Sequence, residues 1–159
     1  MGYTHYFSYG KIPLSKWEKI TKDIKTLLKN LPEHSLYSGC YFPNVPIVLK
    51  YEWNKKGRPL VDIDTVRFNG EGDMGHETFF VERIPHDYEG KRTTRANKFC
   101  KTARKPYDLA VQGCLLVFRH YLGKAFDLRS DGDNEEWQVA VEWVESVLDI
   151  KIETPVFAE

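Results

Sequence analysis

His76 and Glu77 are adjacent residues whose side chains can both take part in chemistry. They follow a glycine-rich turn that contains Asn69 and Gly70. Residues 63–68 and 78–81 on either side of the turn are rich in β-branched and aromatic side chains, which predicts a β-hairpin. Glycine allows positive φ and lets a backbone approach a ligand closely. The turn is therefore a candidate ligand loop.

His5 and Asp131 join His76 and Glu77 as candidates for acid–base catalysis, since imidazole and carboxyl groups exchange protons near neutral pH. Adjacent side chains of a strand point to opposite faces, so His76 and Glu77 enter one site only if the turn bends the chain. His5 meets either of them if its strand pairs with the hairpin. No metal is predicted, because the second histidine of H-E-x-x-H would stand at Phe80. A hydrogen-bonded structural role is favoured for each histidine alone.

The segment 91–105 is basic: seven of its fifteen residues are Lys or Arg and none is acidic. It leads into a helix predicted to open near Pro106, and helix N-termini favour phosphate through unpaired N–H groups and a positive dipole end. Arginine adds bidentate phosphate recognition. An anion site and a solvated loop are equally favoured here. The candidate ligand-binding residues of this region are Arg92, Arg95, Lys101, Arg104, Lys105 and Tyr107.

Aromatic residues make up 14% of the chain, so some are available to stack on a ligand after the core is filled. Tyr3, Tyr6 and Phe79 are the candidates for stacking on a base. With them, the first group of ligand-binding candidates comprises Tyr3, His5, Tyr6, Asn69, Gly70 and His76.

Three other features have a structural interpretation that we favour. The stretch 130–133 resembles part of a calcium loop, but the remaining ligands are missing and Asp133 with Glu136 is typical of a helix cap. Asp108 in a first helical turn is ordinary dipole complementation. Cys114 lies on an apolar helical arc, whereas the cations around Cys100 are expected to lower its pKa.

The order of predicted elements is typical of an α+β fold, a mainly antiparallel sheet with about three helices packed on it. Strands are predicted at 3–9, 47–53, in the central hairpin and at 125–129, with an irregular stretch at 84–98. One helix is capped by Ser15 with Glu18 and ends at Pro32. A second ends at Gly123, a third follows Asp133, and an extended tail follows residue 150. The 159 residues predict a single compact domain.

The charge balance narrows the range of partners. Lys and Arg number 23, as do Asp and Glu, so the net charge of zero argues against an extended nucleic-acid track. No apolar run approaches the ~18 residues of a membrane span, and the first residues do not form a signal peptide. Three cysteines without C-x-x-C spacing favour a reduced, cytoplasmic compartment. The sequence identifies no cofactor, and it leaves open whether the protein forms a homo-oligomer.

Four motifs occur in the order MGYTHY (1–6), FNG followed by HETF (68–79), KPYD (105–108), and SDG followed by Trp137. In these the chain resembles a family of small proteins from bacteriophages and prophages that begin with an MGYTHY-type sequence. The similarity spans roughly residues 1–143. The resemblance implies a phage-encoded accessory protein made in the cytoplasm of an infected bacterium, and it supplies no catalytic residues.

Three functions follow from these observations. The first is binding of a small phosphorylated, nucleotide-type ligand, by which a phage would sequester a signal of host defence. The second is a nucleotide-directed hydrolase or modifying enzyme that uses His, Glu and Asp side chains. The third is a protein inhibitor that binds a host defence enzyme through an exposed aromatic patch. We rank them in this order.

Overall fold

A computed structural model describes residues 2–37, 42–52 and 57–157 of the chain. Three helices and seven strands follow one another in these residues. The helices are α1 (Leu14–Lys29), α2 (Asp108–Leu122) and α3 (Asn134–Leu148). The strands are β1 (Thr4–Tyr9), β2 (Leu49–Lys50), β3 (Leu60–Val61), β4 (Thr65–Gly70), β5 (Phe79–Glu82), β6 (Ala96–Lys101) and β7 (Phe126–Ser130).

The described strands form two antiparallel sheets, and the predicted α+β class is confirmed. In the first sheet β1 is central, with β6 on one side and β7 on the other. In the second sheet β4 pairs with β5, as the predicted hairpin requires, and with the short strands β2 and β3. The first sheet positions His5 and Tyr6, because both lie on its central strand β1.

The core lies between the first sheet and the helices. Phe7 of β1 packs against Phe126 of β7 and Phe79 of β5, with ring centroids 5.9 and 5.8 Å apart. Helix α2 contacts both α1 and α3 and is buried without interruption from Leu109 to Phe118, so it is the most buried of the three α-helices. One face of the sheet is thus covered by helices, and the opposite face is open.

Two of the predicted helix-end signals, Gly123 and Asp133, are confirmed. Gly123 ends α2 with φ of 57°, and Asp133 caps α3 by accepting from the Glu136 N–H at 2.9 Å. The predicted Ser15 cap is wrong: α1 begins at Leu14 with no side-chain cap. The carbonyl of Pro13 accepts from the backbone N–H of Trp17 at 2.9 Å, so the helix starts earlier and Ser15 lies inside it.

Strand prediction failed in two places. The stretch 84–98, predicted to be irregular, contains the start of β6, whose partner β1 is more than eighty residues away and cannot be read from local patterns. Of the predicted strand 47–53, the described residues form only β2. The tail after residue 150 was expected to be extended, and its described part has no regular secondary structure. Cys40, one of the three cysteines, and residue 53 of the predicted strand lie outside the described residues.

Candidate functional site

A hydrogen-bonded series of side chains links three elements at one end of the first sheet; we call it the His5 network. His5 of β1 contacts Asp108 at the start of α2, with 2.7 Å between Nε2 and Oδ1. Its Nδ1 lies 2.7 Å from Oγ of Ser130, the last residue of β7. Thr102, just after β6, donates its hydroxyl to the same Asp108 oxygen at 2.6 Å. The network therefore joins the first strand to residues more than 100 positions further along the chain.

The imidazole of His5 is completely buried. The rings of Tyr3 and Trp137 meet it edge-on, with centroids 5.1 and 5.2 Å away. A buried polar ring is tolerated only when its hydrogen-bonding groups have partners, and both nitrogens of His5 do.

The hydrogen-bond partners allow one directed arrangement of protons. The Asp108 oxygen accepts from the Thr102 hydroxyl, and it can also accept from an N–H on His5 Nε2. The oxygen of Ser130 accepts from the Gly132 N–H at 2.9 Å, and in this arrangement its hydroxyl hydrogen points to Nδ1 of His5. Serine hydroxyl, imidazole and carboxylate thus form one directed series.

A small cleft lies beside the network, between the first turns of α2 and α3. Arg104 covers the Tyr3 ring, with 4.3 Å from Cζ to the centroid, and its Nη2 lies 3.2 Å from Glu136 Oε1. Burial raises the pKa of both Tyr3 and Glu136, and the Asp108 carboxylate raises them further. The cleft encloses about 30 Å³, room for one or two water molecules beside Gln112. It is too small for a nucleotide, and its two carboxyl groups disfavour phosphate.

The structure does not gather the basic segment into one anion site at the start of α2. Arg104 and Lys105 do line the cleft, but Arg104 is paired with Glu136. The Lys105 ammonium donates to the Asp73 carbonyl oxygen at 2.7 Å and lies 5.0 Å from the ring centroid of Phe42. Both cations are therefore occupied by the protein itself.

The other basic candidates lie along or before β6. Arg92 forms an isolated bridge with His86 and is exposed, and Arg95 is exposed just before the strand. Lys101 ends β6 opposite Thr4 and is half-buried. The segment that was interpreted as a loop is partly a strand, and this separates its cations.

Asn69 holds the glycine-rich turn closed. Its Oδ1 accepts from the N–H groups of Gly70 and His76 at 2.7 and 3.0 Å, and its Nδ2 donates to the His76 carbonyl oxygen at 2.9 Å. A Cβ on Gly70 would stand 2.4 Å from the Met74 carbonyl oxygen. The space that glycine leaves free here is filled by the backbone of the same turn and not by a ligand.

His76 and Glu77 diverge, as expected for neighbours on an extended chain. His76 is exposed, whereas the Glu77 carboxylate accepts from the Lys101 N–H at 2.6 Å. Tyr107 is fully buried and its hydroxyl donates to the Glu77 carbonyl oxygen at 2.6 Å, so it does not face a ligand. The hydrogen-bonding side-chain partners of His5 are Asp108 and Ser130.

The expected lowering of the Cys100 pKa by neighbouring cations is wrong. Its thiol is buried, and burial raises its pKa, with the Asp108 and Glu77 carboxylates adding to the rise. The neighbouring cations of the sequence do not reach it. Cys114 is buried in the core, as predicted.

The outer surface of the first sheet, which we call the open face, carries an exposed aromatic pair. Tyr6 of β1 lies directly opposite Phe99 of β6, and their exposed fractions are 44% and 58%. Arg129 of β7 lies opposite Tyr6 on the other side. The next row, two residues further along each strand, consists of Asn97, Ser8 and Asp127.

The open face is concave. Val156 and Phe157 form its wall, and the concavity measures about 1120 Å³. Its charges are mixed: Asp127 and Asp131 line it with Arg129, and Lys101 ends the neighbouring row. Asp131 also accepts from the Thr4 N–H at 3.0 Å, which ties the strand end to β1.

Sequence reasoning missed several residues of both regions. Asp108 and Ser130 were interpreted as parts of helix starts and turns, because a hydrogen bond across more than 100 residues leaves no local signal. Thr102 and Glu136 were missed because neither residue type at its position signals a contact with Asp108 or Arg104. Phe99 was missed because its segment was not predicted to be a strand, so its place beside Tyr6 could not be inferred.

No protein-family model, curated protein or solved structure matches the chain. Among the described residues, no helix is both long and apolar enough to cross a membrane.

Proposed function

We propose that the protein binds a small phosphorylated, nucleotide-type ligand on the open face. The observation that carries this proposal is the Tyr6–Phe99 pair, two aromatic side chains that stand side by side and exposed on a sheet. Base–aromatic stacking on such a platform contributes about 1–3 kcal/mol per base. The 1120 Å³ concavity offers enough space for a nucleotide, whereas the 30 Å³ cleft does not.

The phosphate has cationic partners at the edges of the same surface. Arg129 is 78% exposed, and its nearest carboxylate, Asp127, is 3.6 Å away, so its guanidinium remains accessible to an anion. Lys101 lies one row from the aromatic pair. Because the net charge is zero and Asp127 and Asp131 share the face, a single nucleotide suits this surface better than a long nucleic acid.

Ser8, Asn97 and Asp127 supply hydrogen-bonding groups next to the aromatic pair. They lie about 7 Å from it along the strands, as two residues of extended chain require. A base stacked on Tyr6 and Phe99 reaches this row with its polar edge. In an infected bacterium, such a protein would sequester a nucleotide signal of host defence and release it chemically unaltered.

Calorimetric titration with a panel of mononucleotides and cyclic nucleotides tests the proposal. We expect saturable binding, recovery of intact ligand by mass spectrometry, and an affinity about tenfold lower in Tyr6→Ala and in Phe99→Ala. Tyr88, which is fully exposed elsewhere, provides the matched control, since Tyr88→Ala should bind like the wild type. Absence of binding across the panel, or equal losses in the Tyr6 and Tyr88 variants, would refute the proposal.

A further inference from the structure

We propose that Ser130 is a nucleophile activated by His5, and that the protein hydrolyses carboxylic esters at the edge of the open face. Catalytic serines are recognised by geometry: a hydroxyl within hydrogen-bonding distance of a base, and a third group that orients the base. Ser130 Oγ, His5 and Asp108 meet this description with both distances at 2.7 Å. The two ring nitrogens are exchanged relative to serine proteases, where Nε2 faces the serine.

The surroundings of His5 hold it in the orientation that general-base catalysis needs. The ring is buried, packed edge-on by Tyr3 and Trp137, and hydrogen-bonded on both sides. Asp108 is held in turn by the Thr102 hydroxyl at 2.6 Å. Asp108 is therefore a positioning residue that keeps the Nε2–H tautomer and leaves Nδ1 as the proton acceptor.

Ser130 occupies a position that a substrate can approach. It ends β7, is partly exposed and borders the concavity of the open face together with Val156 and Phe157. The Gly132 N–H donates to its Oγ at 2.9 Å and stabilises negative charge as the hydroxyl proton leaves. Ser8 lies on the central strand and faces the open side of the sheet, whereas the Ser130 side chain turns towards His5; the cross-strand neighbours of Ser8 are Asn97 and Asp127 rather than a histidine.

The proposed reaction is balanced by ester and water alone. The Ser130 oxygen bonds to the acyl carbon while its proton passes to His5 Nδ1. The bond to the alcohol oxygen breaks, and that oxygen takes the proton from Nδ1. Water then attacks the acyl-enzyme, gives its proton to Nδ1, and releases the acid as Ser130 recovers its hydrogen. The products are one carboxylic acid and one alcohol.

This inference requires an ester and not a nucleotide, so it stands or falls separately from ligand binding at Tyr6 and Phe99. A serine-directed fluorophosphonate followed by peptide mass spectrometry tests it. We expect the label on Ser130, none on Ser8, and none at all in Ser130→Ala. An unlabelled wild-type protein, or a label that persists in Ser130→Ala, would overturn it even if nucleotides bind.

A second pair of variants keeps the proposal testable if Ser130→Ala fails to fold. Cysteine is close to serine in size, so Ser130→Cys and Ser8→Cys place matched thiols with and without the imidazole. Alkylation by iodoacetamide should be at least about tenfold faster at position 130, since a positioned base typically contributes 10²–10⁴-fold. Equal rates would contradict activation by His5.

The role of Asp108 is tested with p-nitrophenyl acetate as substrate. We expect Asp108→Asn to lower kcat with KM unchanged, because the carboxylate acts on the base and does not contact the ester. A variant in which kcat is unaffected, or in which only KM changes, would remove Asp108 from the proposed mechanism.

Discussion

His5 and Tyr6 are neighbours on the same strand, yet they lie in opposite environments. The polar imidazole faces the core and is completely buried, whereas the aromatic ring of Tyr6 faces outward and is 44% exposed. The alternation of a strand explains the opposite directions but not the choice of residues, which reverses the usual distribution. The buried histidine is compensated by hydrogen bonds on both nitrogens. The exposed Tyr6–Phe99 pair leaves apolar surface in contact with water, and a bound ligand would cover that surface.

The comparison teaches that the two regions contribute to different properties. Removing a member of the His5 network leaves a buried polar group without a partner, and this costs stability. Removing an aromatic residue of the open face should change the free energy of unfolding only slightly. The first region should therefore control the free energy of unfolding, and the second should control binding.

Asp108→Ala should have the largest effect, because it leaves the buried His5 imidazole and the Thr102 hydroxyl without their shared acceptor. We expect the free energy of unfolding to fall by about 3 kcal/mol or more. Urea denaturation measures it, with the exposed Asp127→Ala as control, expected to change by less than about 0.5 kcal/mol. Similar losses in both variants would erase the contrast between the two faces.

Ser130→Ala should have the next largest effect on stability. It leaves His5 Nδ1 and the Gly132 N–H without the serine oxygen, and an unsatisfied buried group costs about 1–3 kcal/mol. Ser8→Ala, which removes the same atom from the open face, should be nearly neutral. If the denaturation curves of the two serine variants are indistinguishable, removal of a hydroxyl costs no more stability on the inner face than on the outer face.

Glu136 should make stability depend on pH. Burial raises the pKa of its carboxyl above the ordinary 4.5, so the folded protein binds this proton more tightly than the unfolded chain does. This tighter proton binding adds to the free energy of unfolding. The added stability is complete below pH 4.5 and is lost as the pH rises through the raised pKa of the folded state. Glu136→Gln should remove this decline.

Urea denaturation at a series of pH values provides the measurement for Glu136. Glu135, which is exposed in the same helical turn, provides the control, and Glu135→Gln should retain the wild-type pH dependence. A wild-type curve parallel to that of Glu136→Gln would mean that the cleft does not perturb the carboxyl.

Tyr6→Ala should have the smallest effect on stability, at most about 1 kcal/mol, since exposed cross-strand pairs contribute about 0.2–1 kcal/mol. A double-mutant cycle with Phe99→Ala, measured by thermal unfolding, gives the interaction between the two rings. A loss comparable to that of Asp108→Ala would indicate that the aromatic pair is structural, and it would weaken its assignment as a ligand platform.

Much of the fold was predictable from local patterns. A first helix was predicted before Pro32 and is α1, and Asp133 and Gly123 marked helix ends correctly. Strand β6 was missed because its inward positions include Lys98, which destroys the apolar alternation; its ammonium lies 4.1 Å from the ring centroid of Phe80. Such a lysine shields its stem inside the protein, and only the packed structure reveals this.

The candidate site was predicted less well. His5 and Tyr6 were among the predicted site residues, but the partners of His5 were sought in His76 and Glu77, whereas its side-chain partners are Asp108 and Ser130. The turn that carries these two is organised by Asn69, whose hydrogen bonds occupy the groups that were offered to a ligand. A glycine-rich sequence predicts close backbone packing, but it does not show whether the backbone packs against a ligand or against another part of the same turn.

The sequence by itself determined the α+β class, the helices and the central hairpin, because hydrophobic periodicity and turn residues act over short stretches of chain. It also determined which residues carry chemistry. Only the tertiary structure decided which of them meet. The contacts of His5 with Asp108 and Ser130 span 103 and 125 residues, and strand register places Phe99 beside Tyr6. These contacts depend on the packing of whole elements, which no local pattern specifies.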